Sequence, residues 1–121
     1  IKDQDDETTL VVHIETKLGC ENAEEIINVP GVDMVYIGLG DLSIDMGYPD
    51  NKNHPAIVDA MSHILNICKQ NKIPMGTTAS DITQAKLWIE RGVKFFEGPH
   101  EIDFIKESSL NFVESYREIE D

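Results

Sequence analysis

The stretch VYIGLGDLSIDMGYP, residues 35–49, passes from a short β-branched and aromatic run into two glycines and then directly into an acid, Asp41. Gly38 and Gly40 begin like the G-x-G-x-x-G fingerprint of dinucleotide-binding turns, in which backbone amides approach a pyrophosphate. The third glycine is absent because Ser43 stands in its place, and Asp41 would set a negative charge against the phosphates. The stretch therefore disfavours a dinucleotide site and predicts a strand that ends in a turn bearing a carboxylate.

Asp41 has two interpretations. A carboxylate at the carboxyl end of a strand, beside glycines that expose backbone amides, can hold a divalent cation while the amides hold an anion. Alternatively, Asp41 or Ser43 merely caps the short helix that follows. The choice depends on whether other side chains converge on the same point.

Length and charge limit the classes of protein that the chain can represent. Its 121 residues suit one domain and are too few for a closed barrel of eight strand–helix units. The net charge of −13 disfavours nucleic acids and anionic membrane surfaces, and no apolar run approaches membrane-spanning length.

Cys20 and Cys68 are too few for a disulfide framework and lack metal-binding spacing, which suits the cytoplasm. No signal peptide is evident in the sequence. Because the chain begins at Ile1 rather than at a methionine, we expect it to be the later part of a longer polypeptide.

Strand-like and helix-like segments alternate along the chain. Residues 1–9 are polar and acidic, and strands are expected near residues 10–14, 34–37, 73–77 and 93–96. Helices are expected near residues 21–27, after Asp41, from Pro55 onward, from Ser80 or Asp81 to Gly92, and over residues 101–117. This βαβαβαβα order with short connections predicts an α/β fold with a parallel sheet.

Two of these helices have predicted packing faces. In the long helix, Asn53 or His54 is expected to cap and Pro55 to occupy the first turn. Its apolar stripe consists of Ile57, Met61, Ile64, Leu65 and Cys68. The next helix is expected to pack Ile82, Ala85 and Ile89.

Each predicted strand delivers a polar group at its carboxyl end, the edge at which parallel α/β folds bind ligands. These groups are Glu15, Asp41, Thr77 with Thr78, and Glu97. Neighbouring strands lie about 5 Å apart, and two acids that close repel each other unless a cation lies between them. Glu15 and Asp41 therefore predict a site for one hard divalent cation, although Glu15 alone would suit a solvated loop.

Histidines lie near the same edge. His13 shares a strand face with Glu15. It is a hydrogen-bond donor to a metal ligand, a substrate contact or a hydrogen-bonded core residue. Glu97 and His100 could shape a pocket at the exit of the last strand, although their spacing does not require it. The tyrosines are interpreted as packing residues.

The segment HIETKLGCENAEEIINVPGVDMVYIGLGDLSIDMGYPDNKNHPAI, residues 13–57, resembles the HpcH/HpaI aldolase family. This family comprises metal-dependent class II pyruvate aldolases typified by 4-hydroxy-2-oxoheptanedioate aldolase. The IET and GDLS…MGYP segments carry the resemblance, which extends from about Thr8 to Arg117. It implies that the chain is the C-terminal half, four βα units, of a TIM (β/α)8 barrel, with residues 1–9 connecting it to an absent N-terminal half.

The resemblance also implies roles for individual residues. Glu15 and Asp41 match metal ligands, usually for magnesium, manganese or cobalt, and the backbone amides of Gly40 and Asp41 match those that bind the pyruvate carboxylate. His13 falls where the family commonly carries a substrate-contacting glutamine or methionine. Leu39 and Gly40 replace the family's Pro-Ala. The family's general base and its enolate-stabilising arginine belong to the first half of the barrel, so the catalytic residues are unknown here and the segment alone should be a poor catalyst.

The function implied is a carbon–carbon lyase that cleaves or forms a 4-hydroxy-2-oxo acid from pyruvate and an aldehyde through a metal-stabilised enolate. The resemblance further suggests a homo-oligomer in which the last helix packs on a neighbouring subunit. The apolar stripe from Ile102 to Tyr116 suits this arrangement, and it would equally suit packing on its own barrel. One alternative is an acyl-CoA lyase of the citrate-lyase or malate-synthase type. Another is a non-catalytic half-barrel that binds a partner, for which a four-strand doubly wound domain would be the corresponding fold.

Overall fold

A computed structural model describes residues 7–49, 51–79 and 81–120, apart from the side chain of Glu120. Residues 1–6 of the predicted acidic connection lie outside this range. The strands are β1 (Val11–Ile14), β2 (Met34–Ile37), β3 (Met75–Thr78) and β4 (Phe95–Glu97). The helices are α1 (Lys17–Glu21), α2 (Ala23–Ile27), α3 (Leu39–Asp45), α4 (Pro55–Asn71), α5 (Ile82–Arg91) and α6 (Glu101–Glu120).

The four strands form one parallel sheet in the order β1-β2-β3-β4, so each strand pairs with the next strand along the chain. The register aligns His13, Tyr36, Gly76 and Phe95 in one row across the sheet. A doubly wound sheet reverses its strand order at a switch point, whereas a barrel wall adds each strand to the last. The α/β prediction is confirmed, and the sequential order is that of a barrel segment.

The two faces of the sheet differ in burial. On one face Ile14, Val35 and Met75 are at most 1% exposed and join the apolar core under the helices. On the other face His13, Phe95 and Glu97 are exposed. Because side chains alternate along a strand, this second face is the one that a closed barrel would turn toward its axis.

Helix α4 follows the sequence pattern closely. Its predicted stripe, Ile57, Met61, Ile64, Leu65 and Cys68, is buried throughout. Pro55 begins the helix, and His54 is the N-cap, with its Nδ1 accepting a hydrogen bond from the Ala56 amide at 3.2 Å. Burial raises the pKa of the Cys68 thiol to about 11, so the group stays protonated inside the core.

Other helices depart from the predictions. The single helix expected over residues 21–27 is two helices that meet at Asn22. The first of them starts earlier than expected because Thr16 is its N-cap, with Oγ1 accepting a hydrogen bond from the Gly19 amide at 3.0 Å. In α5, Ile82 and Ile89 are 72% and 55% exposed, so their predicted packing was wrong for this chain. Trp88 is the residue of α5 that joins the core. Within the described ranges, no helix has both the length and the apolar character needed to cross a bilayer.

Candidate functional site

A depression of about 370 Å³ lies where the strands end. It is lined by His13, Glu15, Tyr36, Gly38, Leu39, Gly40, Asp41, Lys52, Thr78, Glu97 and His100. All four residues that the sequence analysis assigned to metal or substrate are in this lining. An adjoining hollow of about 460 Å³ shares Leu39, Lys52 and Thr78 but has no acidic side chain among its described lining residues. The acidic depression is therefore the candidate site.

Glu15 follows β1 directly, and its side chain is 39% exposed. Its carboxylate lies over Gly38, since a Cβ atom added at Gly38 would come within 2.5 Å of Glu15 Oε2. A real Cβ atom does not approach an oxygen so closely, so any larger residue at Gly38 would displace the carboxylate. This contact explains why β2 is followed by a glycine.

Asp41 is an exposed residue in the first turn of α3, with Gly38 as the N-cap. The cap interpretation of Asp41 or Ser43 was therefore wrong, because the helix begins two residues before Asp41. Ser43 is buried instead, and its hydroxyl donates to the Gly40 carbonyl at 2.7 Å. The first amides of a helix lack partners within it, so α3 presents the amides of Leu39, Gly40 and Asp41 toward this edge of the sheet.

His13 lies on the open face of the sheet, with 56% of its side chain exposed. Its Nδ1 is 3.6 Å from Glu15 Oε2, and its ring lies 4.7 Å from the Tyr36 ring, measured between centroids. Exposure disfavours the core interpretation of His13, and its position beside Glu15 suits either a donor to that carboxylate or a substrate contact.

Tyr36 and Glu97 form a pair that the sequence analysis missed, since it treated the tyrosines as packing residues. The Tyr36 hydroxyl donates to Glu97 Oε2 at 2.5 Å, which links β2 to β4 across β3. The path is open because β3 carries Gly76 there: an added Cβ would lie 2.8 Å from Phe95 Cδ1 and 3.2 Å from Tyr36 Cδ2. The available signal was alternation, which places Tyr36 on the face opposite Val35 and Ile37.

Burial, followed by the hydrogen bond and the charge of Glu97, raises the pKa of Tyr36 well above its ordinary value. The phenol is therefore neutral at physiological pH and remains a hydrogen-bond donor.

The two threonines at the end of β3 have different positions. Thr77 is buried and its hydroxyl donates to the Ile37 carbonyl at 3.1 Å, whereas Thr78 lines the depression.

The donor set limits the kind of metal that the chain can hold. Within residues 7–49, 51–79 and 81–120, no three or more His, Cys, Asp or Glu side chains converge as a metal site. Glu15 and Asp41 supply hard carboxylate oxygens on the same depression. Magnesium is typically held by one or two carboxylates together with waters and substrate oxygens, whereas structural zinc needs four protein ligands. The residues present fit a cation of the magnesium type.

A sequential parallel sheet with acids and helix amides at one edge places the chain among the α/β proteins that bind ligands at the carboxyl ends of their strands. The chain belongs to the HpcH/HpaI aldolase/citrate lyase family, which it matches over residues 1–102. The family resemblance inferred from residues 13–57 is thereby confirmed.

One relative and two solved structures with a similar fold illustrate the match. A 5-keto-4-deoxy-D-glucarate aldolase of Escherichia fergusonii is 28% identical over 109 residues, which are 90% of this chain and 43% of the relative. A family protein from Burkholderia cenocepacia has a TM-score of 0.85 at 24% identity, covering 91% of this chain and 43% of that chain. The citrate synthase SbnG has a TM-score of 0.88 at 19% identity, covering 99% of this chain and 49% of that chain. The chain thus spans less than half the length of the proteins it matches.

Proposed function

We propose that the protein containing this chain is a divalent-metal-dependent carbon–carbon lyase that cleaves or forms a 4-hydroxy-2-oxo acid from pyruvate and an aldehyde. The observation that carries this proposal is the placement of Glu15 and Asp41 on one depression at the carboxyl ends of neighbouring strands. Membership of an aldolase and citrate lyase family and the aldolase named among the relatives support it.

In this proposal, Glu15 and Asp41 hold magnesium, manganese or cobalt. When bound, such a cation supplies Lewis acidity to the oxo and carboxylate oxygens of the substrate. The amides of Gly40 and Asp41 orient the pyruvate carboxylate, and fixed orientation lowers the entropic part of the barrier. His13, exposed beside Glu15, contacts the substrate. We place the general base in the N-terminal half of the barrel, outside this chain.

The experiment measures pyruvate release from a 4-hydroxy-2-oxo acid by the full-length protein, with and without a chelator. We expect the chelator to abolish release and added Mg²⁺, Mn²⁺ or Co²⁺ to restore it, because the carboxylates alone cannot stabilise the enolate charge. Release that is indifferent to the chelator would contradict the proposal.

The second candidate is a lyase acting on acyl-CoA substrates, because the family description names citrate lyase beside aldolase. The same assay distinguishes the two candidates when an acyl-CoA substrate is supplied in place of the hydroxy-oxo acid. Turnover that requires CoA would favour the second candidate, and a protein that turns over neither substrate with any metal would favour the non-catalytic binding module.

We also propose that the full-length protein is a cytoplasmic homo-oligomer in which α6 packs on a neighbouring subunit. The support is that every large apolar side chain described in α6 is at least 46% exposed on this chain. These side chains are Ile102, Phe104, Ile105, Leu110, Phe112, Val113, Tyr116 and Ile119. Exposed large apolar side chains in this number are typical of an interaction surface.

Light scattering on the full-length protein is expected to give a mass of at least two subunits. Phe112→Asp should lower that mass because it places a charge in an apolar interface, where an unpaired charge is costly. Asn111→Asp, which adds the same charge at the adjacent exposed position, should leave the mass unchanged. A wild-type protein that is a clean monomer would refute the oligomer.

A further inference from the structure

We propose that Glu97, held in place by Tyr36, selects the aldehyde that the lyase accepts: a neutral, hydroxyl-bearing aldehyde rather than one that carries a carboxylate. This inference rests on the lyase function proposed above and adds the class of its second substrate. It comes from three features of the depression, namely the position of the Glu97 carboxylate, its hydrogen bonding and the charges around it.

The position of the carboxylate follows from the register of the sheet. Glu97 is the last residue of β4, while Glu15 and Asp41 follow β1 and β2. The Tyr36 side chain passes over Gly76 of β3, and its hydroxyl meets the Glu97 carboxylate, so that Tyr36 and Glu97 line the same depression as Glu15 and Asp41. With neighbouring strands about 5 Å apart, the end of β4 lies about 10 Å from the end of β2 and about 15 Å from the end of β1. The three carboxylates nevertheless line one depression. A substrate whose pyruvate part lies at Glu15 and Asp41 would direct its remaining carbons toward Glu97.

The hydrogen bonding determines what Glu97 offers to a ligand. An ionised carboxylate only accepts hydrogen bonds, and the Tyr36 hydroxyl already donates to Oε2. The other oxygen belongs to an exposed residue on the depression, so it can accept from a substrate hydroxyl. Gly76 keeps this arrangement possible, because a side chain there would collide with Tyr36 and Phe95.

The charges determine what Glu97 rejects. The described lining has three acids, Glu15, Asp41 and Glu97, and Lys52 as its single Lys or Arg. A divalent cation would offset Glu15 and Asp41, and Lys52 would offset the carboxylate of pyruvate. Among the described lining residues, Glu97 is then the carboxylate to which no cation has been assigned, so a second substrate carboxylate would lie beside a like charge. Like charges at such a distance disfavour binding.

The first test measures binding without turnover, using the full-length protein with Mg²⁺ and calorimetry. 2-Oxoglutarate and 2-oxopentanoate both carry the pyruvate-like head, differ in whether the fifth carbon is a carboxylate or a methyl group, and lack the 4-hydroxyl needed for cleavage. We expect Glu97→Gln to tighten 2-oxoglutarate about five- to tenfold relative to 2-oxopentanoate, because the amide removes the like charge. Glu90→Gln, which removes the same charge from the exposed surface of α5, should leave the ratio unchanged.

The second test measures kcat/KM for the aldol reaction of pyruvate with glycolaldehyde and with glyoxylate, a hydroxyl and a carboxylate of matched size. Glu97→Gln should shift the preference toward glyoxylate by about tenfold. Tyr36→Phe keeps the charge of Glu97 but removes the hydroxyl that positions its carboxylate. We expect kcat/KM for glycolaldehyde to fall a few-fold, the size of effect typical of one lost hydrogen bond. The Kd of pyruvate should be unchanged.

Pyruvate binding separates the two levels of the proposal. Wild-type protein that does not bind pyruvate in a metal-dependent way would overturn the lyase function itself. The role of Glu97 alone would be overturned if Glu97→Gln bound pyruvate normally but left both the affinity ratio and the kcat/KM ratio unchanged. It would also be overturned if Glu90→Gln changed these ratios by the same amount.

Discussion

Full-length protein carrying Asp41→Asn is expected to release pyruvate at least about a hundredfold more slowly than the wild type. Asp41 is exposed on the depression beside Glu15, so its carboxylate is available to a cation rather than engaged in a cap. The amide keeps the size of the side chain but removes the charge that makes it a good ligand for a hard cation. The backbone amide of residue 41, which we propose binds the pyruvate carboxylate, is unchanged by the substitution.

The control for this variant is Asp59→Asn on α4, an exposed carboxylate outside the depression. It changes the net charge equally and should leave the rate within about twofold, since an isolated surface charge contributes little at physiological salt. Both variants are measured over a range of Mn²⁺ concentrations. Equal rates for wild type and Asp41→Asn at every concentration would refute the ligand role of Asp41.

The sequence predicted those features that depend on local pattern. The apolar stripe of α4 was correct in every member because a period of 3.6 residues leaves a single face for Ile57, Ile64 and their neighbours. The cap at His54 follows from Pro55, which can begin a helix but cannot continue one. The parallel sheet follows from the alternation of strand-like and helix-like segments.

Side-chain contacts between segments that are distant in sequence were not predicted. Tyr36 and Glu97 are 61 residues apart in sequence and meet because of the register of three strands and the missing side chain at Gly76. The exposed face of α5 is a similar case. Ile82 and Ile89 are spaced correctly for a helical stripe, but the surface that α5 covers on this chain is contacted by Trp88.

The site was partly predictable for a physical reason. Parallel strands bring all their carboxyl ends to one edge, so His13, Glu15, Gly40 and Asp41 could be assigned to a common location from strand assignment alone. The detailed contact between Glu15 and Gly38 needed coordinates, because it depends on the rotamer of Glu15 and the path of the turn after β2. Replacing Gly38 therefore provides a second test of the site, because the substitution leaves Glu15 and Asp41 in the sequence.

Gly38→Ala is expected to weaken Mn²⁺ binding by the full-length protein about ten- to a hundredfold, as for loss of a group that positions a metal ligand. The added Cβ would lie 2.5 Å from Glu15 Oε2 and 3.0 Å from Glu15 Cβ, so the carboxylate must leave its position over the turn. Pyruvate release at a fixed, subsaturating metal concentration should fall with it.

The fold should tolerate this change. Gly38 has φ −76°, which alanine adopts without strain. The contact with Glu15 Oε2 is relieved by rotation of a flexible side chain, whereas the 3.0 Å contact with Glu15 Cβ requires a small shift of the backbone. Alanine also reduces the freedom of the unfolded chain, which offsets part of any cost, so the unfolding free energy should change by less than about 1 kcal/mol. Gly98→Ala is the matched control, since its Cβ would meet no atom within 4 Å and its residue lies outside the depression.

Calorimetric titration with Mn²⁺ and thermal melting together distinguish the possible results. Weakened metal binding with a melting temperature lowered by no more than a few degrees is the expected result, because the substitution moves one carboxylate and leaves the buried core intact. Wild-type metal affinity in Gly38→Ala would show that Glu15 is not a ligand in the position seen here. A melting temperature lowered equally in Gly98→Ala would show that glycine is needed at this edge for folding rather than for the carboxylate above it.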